Sequence, residues 1–144
     1  EKEQDWISSL KDNTDQVVLM IVLKQGDIPI GTMGLHNISW LHRVGTTGTV
    51  IGEAKYWGQG YGTEAKMIFL YYAFNSLNMR KVCSHVFHFN TRSRKYLEKT
   101  GYRIEGVLKR HDYIGGKYVD VVVMAVFKRD WLPIWRQYKR KYGL

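Results

Sequence analysis

Residues 56–65 read YWGQGYGTEA and place three glycines, Gly58, Gly60 and Gly62, at every second position. Glycine adopts backbone dihedral angles that other residues avoid, and it lets a ligand approach the main chain closely. A helical pattern starts directly behind these glycines, and the unpaired N–H groups at the start of a helix bind oxyanions. The stretch therefore predicts a turn into a helix whose backbone amides, from Gly58 to Thr63, bind a diphosphate.

The sequence of this stretch does not match the motifs of two other phosphate-binding loops. The nucleoside-triphosphate P-loop requires Lys and then Ser or Thr after its last glycine, whereas Gly62 is followed by Thr63 and Glu64. The dinucleotide fingerprint requires a third glycine at the position that Thr63 occupies. A turn that binds no ligand stays open as the alternative.

Helical and strand-like patterns alternate along the rest of the chain. Helical patterns cover 1–13, 61–77, 91–100 and 129–142, and strand patterns cover 17–24, 28–39, 49–53, 81–89, 102–114 and 117–127. We expect 17–24 to be a buried strand, Asn90 to cap the third helix and Gly115-Gly116 to turn a tight hairpin. The order predicts a mixed α/β sheet with crossover helices, in a single domain spanning 1–144.

Composition narrows the class of partner and the compartment. The chain carries 22 Lys and Arg against 13 Asp and Glu, a net charge of +9, which favours nucleic acid, an anionic membrane or a phosphate-bearing cofactor. It contains no run of about 18 apolar residues, so we expect no membrane-spanning helix. The single cysteine, Cys83, forms no internal disulfide and favours the reducing cytoplasm. The histidines lack thiol or carboxylate partners at ligand spacing, so we expect no metal site.

Three blocks of sequence resemble the GNAT (Gcn5-related N-acetyltransferase) superfamily, in the order and spacing of that family. IGEAKYWGQGYGTEA at 51–65 is similar to its acetyl-CoA-binding motif. FNTRSRKYLEKTGYRIEG at 89–106 and GGKYVDVVVMAVFKRDW at 115–131 most resemble the Rim-type branch, the ribosomal-protein N-terminal acetyltransferases. The resemblance covers about residues 17–131 and implies acetyl-CoA as co-substrate.

The resemblance also implies a fold. GNAT proteins have a mixed, mostly antiparallel sheet with flanking helices and a splayed central pair of strands. The strand before the glycine loop, TVIGE at 49–53 here, diverges from its neighbour and admits the pantetheine arm of the cofactor. The family has a leading strand and helix for which we find no counterpart, so we expect both to be absent.

A set of cofactor-binding residues follows from the resemblance. They are Ile51, Gly52, Trp57, Gly58, Gln59, Gly60, Tyr61, Gly62, Thr63 and Asn90. Trp57 stands where the common family loop has Arg or Gln, as it often does in the Rim-like branch. A backbone N–H near Ile51 or Gly52 would stabilise the carbonyl oxygen during transfer.

Two residues are expected to transfer protons, one as the base for the amine and one as the acid for the leaving thiolate. An amine attacks only when neutral, and the family often keeps a carboxylate base at the end of the strand before the loop, where Glu53 stands. Many members protonate the leaving thiolate with a Tyr seven positions after the Asn, but this chain has Leu97 there, and Tyr96 belongs to another helical face. The Rim-like branch implies Ser93 for that role.

Other polar and aromatic residues stay open as candidates. His36 or His42 is an alternative base near the expected acceptor side. Trp40, Tyr113 and Tyr118 are candidates for the lining of an acceptor groove, with the core as their more common place.

The sequence therefore predicts an N-acetyltransferase that moves the acetyl group of acetyl-CoA directly to a primary amine. The resemblance makes a protein N-terminal amine the first acceptor, with an amino sugar, a polyamine or an antibiotic as the alternative. A polyamine requires clustered carboxylates, which the excess of basic residues disfavours. A catalytically inactive CoA sensor, a non-catalytic RNA- or ribosome-binding module using the basic C-terminal helix, and a homodimer stay open.

Overall fold

The computed structural model describes residues 2–9 and 14–144, so part of the predicted first helix lies outside the described residues. In chain order the elements are α1 (Lys2–Ser9), β1 (Val17–Leu23), β2 (Ile28–Ser39), β3 (Val44–Ile51), α2 (Tyr61–Asn75), β4 (Lys81–Phe87), α3 (Thr91–Lys99), β5 (Arg103–Ile114), β6 (Lys117–Phe127) and α4 (Lys128–Tyr142). This order is the one predicted from the sequence. None of the described helices has the length and apolar character needed to cross a membrane.

The six described strands form one sheet in the order β1-β2-β3-β4-β6-β5. Every neighbouring pair is antiparallel except β3 and β4, which are parallel. Parallel neighbours need a crossover connection, and α2 supplies it. The predicted mixed, mostly antiparallel α/β fold is confirmed.

The parallel pair in the middle of the sheet splays apart. β3 and β4 pair only where Val44–Thr46 lies beside Lys81–Cys83. Beyond that point β3 stays with β2 as far as Ile51, and β4 stays with β6 as far as Phe87. A wedge-shaped gap therefore opens toward the end of the sheet at which the glycine loop begins; this gap is called the splay below.

The hydrophobic core lies between α2 and one face of the sheet. Its most deeply buried side chains include Met33, Leu35, Met67, Leu70, Ala73, Phe74, Met79, Val82, Met124 and Trp131. Trp131 of α4 packs against Phe74 of α2 with 5.3 Å between the ring centroids, and Leu97 of α3 joins the same cluster. The helices α2, α3 and α4 therefore share one core with the sheet.

Strand β1 was expected to be buried, and this expectation is wrong. β1 is the edge strand of the described sheet, and Met20 is 64% exposed while Leu19 and Val22 are 43% and 44% exposed. β1 and α2 enclose an apolar groove of about 380 Å³, and the predicted helix face of Ala65, Ile68, Phe69 and Tyr72 lines it. An apolar run has the same sequence pattern whether a strand has one neighbour or two.

Strand β3 starts earlier and ends earlier than the predicted strand at 49–53. It begins at Val44 and ends at Ile51, so Glu53 lies beyond it. The first half of β3 was not predicted as a strand because it contains glycine, which is depleted in strands. Gly45 nevertheless lies in β3, where a Cβ would lie 2.7 Å from Cγ of the buried Leu35, so a larger residue would force that side chain to move.

The basic C-terminal helix separates its aromatic and basic residues. Trp135 and Tyr138 pack on the core cluster, and Trp135 lies 5.2 Å from the ring of Tyr71 on α2. Lys139, Arg140 and Lys141 are exposed. Helical periodicity explains the interleaving of the two types, since most of the aromatic rings pack against protein.

Candidate active site

The glycine loop presents backbone amides to an open space. Gly58 and Gly60 have φ angles of 72° and 89°, in the left-handed region that favours glycine, and Gly60 is the N-cap of α2. A Cβ at Gly60 would meet no heavy atom within 4 Å. The first backbone bond of the helix runs from Glu64 N to Gly60 O at 3.0 Å. Within residues 2–9 and 14–144, the amides from Gly58 to Thr63 donate to no backbone carbonyl, so they remain available to an anion.

One edge of the splay is formed by the end of β3. Gly52 N donates to Ile30 O at 3.0 Å, and the register pairs Gly31 with Ile51. Because hydrogen bonding alternates along an antiparallel ladder, Ile51 directs its N–H toward the splay and away from β2. Of the two amides expected to stabilise a carbonyl oxygen, the structure leaves that of Ile51 free and uses that of Gly52 in the sheet.

Trp57 ties the loop to this strand end. Its indole Nε1 donates to Ile51 O at 2.9 Å. The carbonyl of Ile51 is therefore occupied, and only its N–H faces the splay unpaired. Gln59 also holds the loop, through a bond from its side-chain Nε2 to Lys55 O. Tyr61 packs edge-on against Tyr56, with 6.3 Å between ring centroids.

Two tyrosines form the helix-side wall of the splay. The hydroxyl of Tyr102 lies 2.8 Å from Thr47 Oγ1, and that of Tyr96 lies 3.3 Å from Thr49 Oγ1. Burial raises the pKa of both tyrosines far above the usual range, so both stay protonated at neutral pH. From the sequence we expected Ser93 to be the proton donor, because Leu97 occupies the family's Tyr position and Tyr96 was assigned to another helical face. In the structure Leu97 lies in the core and Tyr96 reaches β3.

A buried lysine lies behind these tyrosines. Lys66 of α2 is 1% exposed, and its Nζ lies 5.6 Å and 5.7 Å from the ring centroids of Tyr96 and Tyr102. Among the described ion pairs none involves Lys66. Burial lowers the pKa of Lys66 to about 7. The signal for Lys66 in the sequence is a lysine within the apolar face pattern of α2, and no role was predicted from it.

The predicted catalytic residues lie on either side of the loop. Glu53 precedes the short turn at Ala54–Tyr56, with a 66% exposed side chain and an ion pair of 3.2 Å to Lys55. Ser93 lies in the first turn of α3, half-buried, and its backbone N–H donates to Asn90 Oδ1 at 3.1 Å. The prediction that Asn90 caps this helix is confirmed, and its side-chain NH₂ is left for a ligand.

The three aromatic residues that were candidates for an acceptor groove do not lie close together. Trp40 follows β2 at the end of the sheet where Lys81 pairs with Phe127. Tyr113 and Tyr118 face each other at 5.1 Å near the opposite end, beyond Phe87. A groove lined by all three is therefore not formed.

The two histidines that were candidates for the base, His36 and His42, lie in different parts of the structure. His42 lies in the turn after β2, away from the glycine loop, and its backbone N–H donates to Ser39 Oγ at 3.2 Å. His36 lies within β2, half-buried, with its Nδ1 at 3.1 Å from Gln16 Oε1. Between them, His36 is the one nearer the middle of the sheet.

Comparison with known proteins agrees with this geometry. The family model "Acetyltransferase (GNAT) domain" matches residues 1–103. An uncharacterized N-acetyltransferase of Bacillus licheniformis is 31% identical over 77% of this chain and 62% of its own length. A putative ribosomal N-acetyltransferase of Bacillus subtilis is 30% identical over 70% of this chain and 55% of its own. The chain thus spans little more than half the length of these curated relatives.

A solved structure shows the same fold. The spermidine N-acetyltransferase of Vibrio cholerae, in complex with CoA and spermine, matches with a TM-score of 0.84 at 24% identity. The match covers 91% of this chain and 76% of that one. The likeness concerns the arrangement of the sheet and its helices.

Proposed function

Because the chain belongs to the GNAT acetyltransferase family, we propose that it is an acetyl-CoA-dependent N-acetyltransferase. The observation that carries this proposal is the set of unpaired amides from Gly58 to Thr63 at the mouth of the splay. Amides at a helix N-terminus bind phosphate oxygens, and the open space at Gly60 leaves room for them. The exposed edge of β3 offers hydrogen-bonding groups to the amides of the pantetheine arm.

The acetyl group passes directly from sulfur to nitrogen in this proposal. The neutral amine forms the new C–N bond, the C–S bond breaks, and the Ile51 N–H is placed to stabilise the carbonyl oxygen. Cys83 is a poor relay because burial raises the pKa of its thiol, which leaves less of the nucleophilic thiolate. A covalent acetyl-cysteine step is therefore not part of the mechanism.

Glu53 and Ser93 keep their proposed roles in proton transfer. The Glu53 carboxylate lies in solvent beyond β3, where it reaches an amine or a water bound at the mouth. Ser93 lies beside Asn90 at the start of α3 and would donate to the leaving sulfur. Tyr96 is a second candidate donor, because its protonated hydroxyl reaches the wall of the splay.

A polyamine is the acceptor that the comparisons favour. Spermidine N(1)-acetyltransferases of Escherichia coli and Vibrio cholerae are 28% and 29% identical over 71% and 72% of this chain. A protein N-terminal amine, in line with the Rim-type branch, is the second candidate because the putative ribosomal N-acetyltransferase is 30% identical. From the sequence we expected these two acceptors in the opposite order.

An assay of thiol release with an amine panel tests the proposal. The panel contains spermidine, spermine, glucosamine, a peptide with a free N-terminus and the same peptide N-acetylated. Turnover of spermidine above that of the free peptide supports the polyamine acceptor, and the reverse order supports the protein N-terminus. If acetyl-CoA raises the melting temperature but no amine of the panel is acetylated, both proposed acceptors fail and the CoA-sensor alternative is favoured. Salt-sensitive RNA binding with no response to CoA would favour the RNA-binding alternative.

A further inference from the structure

Arg92 lies beside the glycine loop, and within residues 2–9 and 14–144 it forms no ion pair with an acidic side chain. It lies in the first turn of α3, and its guanidinium carbon is 5.2 Å from the ring centroid of Trp57. Its Nη2 is 3.9 Å from the place that a Cβ at Gly58 would occupy. Lys55, which precedes the same loop, is bonded to Glu53.

Both partners in this contact are held in place. The Nε1 bond to Ile51 O fixes the indole of Trp57, and the Asn90 cap fixes the turn of α3 that carries Arg92. Stacking on the indole leaves the edge of the guanidinium open, and that edge carries its N–H groups. The guanidinium is thereby oriented before any ligand arrives.

The chemistry of the contact specifies a phosphate ligand. A guanidinium presents paired N–H groups that match two oxygens of a phosphate, with stronger bonds than neutral donors make. The adjacent amides of Gly58 and Gly60 point to the same class of ligand. The Arg92 guanidinium adds a formal positive charge that the amides lack.

We propose that Arg92, held by Trp57, is a phosphate-binding residue for the nucleotide half of the cofactor. This inference rests on the proposed function, since it takes CoA as the ligand. The phosphate is either the diphosphate in the loop or the 3′-phosphate on the ribose. The same Arg92 geometry serves both, and truncated ligands distinguish them.

Calorimetric binding of three ligands tests the inference. CoA, dephospho-CoA and pantetheine are titrated into the wild-type protein, Arg92→Met and Arg92→Lys. Arg129→Met is the matched control, because that guanidinium lies on α4 and is 91% exposed. We expect Arg92→Met to weaken CoA binding by about ten- to a hundredfold, Arg92→Lys to weaken it less, and Arg129→Met to leave it unchanged.

Each outcome has one meaning. A loss seen with CoA and dephospho-CoA but not with pantetheine excludes the 3′-phosphate and is the result expected for the diphosphate, and a loss seen with CoA alone places Arg92 on the 3′-phosphate. Arg92→Met binding CoA within about twofold of wild type, or losing pantetheine affinity equally, overturns the inference. Failure of the wild-type protein to bind CoA at all overturns the proposed function instead.

Discussion

The hydroxyl of Tyr102 lies 2.8 Å from Oγ1 of Thr47, the first residue of β3 that has no partner on β4. The same Thr47 hydroxyl donates to Cys83 O at 3.2 Å, and Ser84 Oγ donates to Thr47 O at 3.3 Å. Side-chain bonds therefore take over where the backbone ladder stops. They satisfy buried polar groups at the closed end of the splay, which an open gap would otherwise leave unpaired.

Removing the hydroxyl of Tyr102 is expected to destabilise the fold. Tyr102→Phe deletes one partner of a buried bond but keeps the ring, so the free energy of unfolding should fall by about 1–2 kcal/mol. Urea denaturation measures the change. Tyr118→Phe is the control, because Tyr118 is 68% exposed, and it should leave the midpoint where it is. Equal midpoints for both variants would show that the Tyr102–Thr47 bond does not stabilise the splay.

Lys66 makes stability depend on pH. Its pKa is about 7 in the folded chain and near 10.5 in the unfolded chain, so between these values the unfolded state binds more protons and stability rises with pH. Below about pH 7 the folded state carries the full cost of a buried charge. Lys66→Met should therefore be more stable than wild type at about pH 6, by more than about 1 kcal/mol, and the difference should shrink toward about pH 10.

Urea denaturation of both proteins across this pH range tests the effect. None of the ion pairs in the described part of the chain involves Lys66, and the rings of Tyr96 and Tyr102, which face its Nζ, stay protonated in this range because burial raises the pKa of both. A stability difference that does not change with pH would mean that Lys66 is charged in the folded protein at every pH tested.

Asn90 has two functions that a pair of variants separates. Asn90→Asp keeps an oxygen to accept from Ser93 N but loses the side-chain NH₂ proposed for the cofactor arm. Asn90→Ala loses both, and its free energy of unfolding should fall by about 1 kcal/mol. We expect both variants to bind CoA more weakly and only Asn90→Ala to unfold more easily. Thermal melts with and without CoA measure both effects, and unchanged CoA binding by Asn90→Asp would remove Asn90 from the site.

The glycine loop tolerates no bulk if it is a phosphate site. Gly60→Val introduces a side chain into the open space and strains a φ of 89°, so it should abolish the rise in melting temperature that CoA causes. Gly116→Val is the matched control, because Gly116 has a φ of 80° in the hairpin turn, away from the loop. Both should melt at lower temperature without ligand. A full CoA response from Gly60→Val would contradict the assignment of the loop.

Local signals in the sequence predicted the elements that depend on local chemistry. The glycines of the loop, the Asn90 cap and the Gly115-Gly116 hairpin each specify backbone conformation within a few residues, and each is where the sequence placed it. The edge position of β1 could not be predicted this way, because the number of strand neighbours is set by the whole sheet.

The parts of the site that escaped prediction depend on distant packing. Tyr96 and Leu97 are adjacent in sequence and lie about 100° apart around α3, so the rotation of the packed helix decides which of them reaches β3. The contact between Arg92 and Trp57 joins α3 to the glycine loop, and the two are remote in the chain. Lys66 is buried because α2 is covered by the sheet and α3, a fact that its own sequence pattern does not contain.

The most direct test of the central claim is a titration of the ¹⁵N-labelled protein with CoA, followed through the amide resonances of residues 58–63. The account predicts that these amides shift most strongly, that the Ile51 amide shifts with them, and that pantetheine alone leaves 58–63 unchanged. CoA binding that leaves these resonances unmoved, or a protein that does not bind CoA at all, would contradict it.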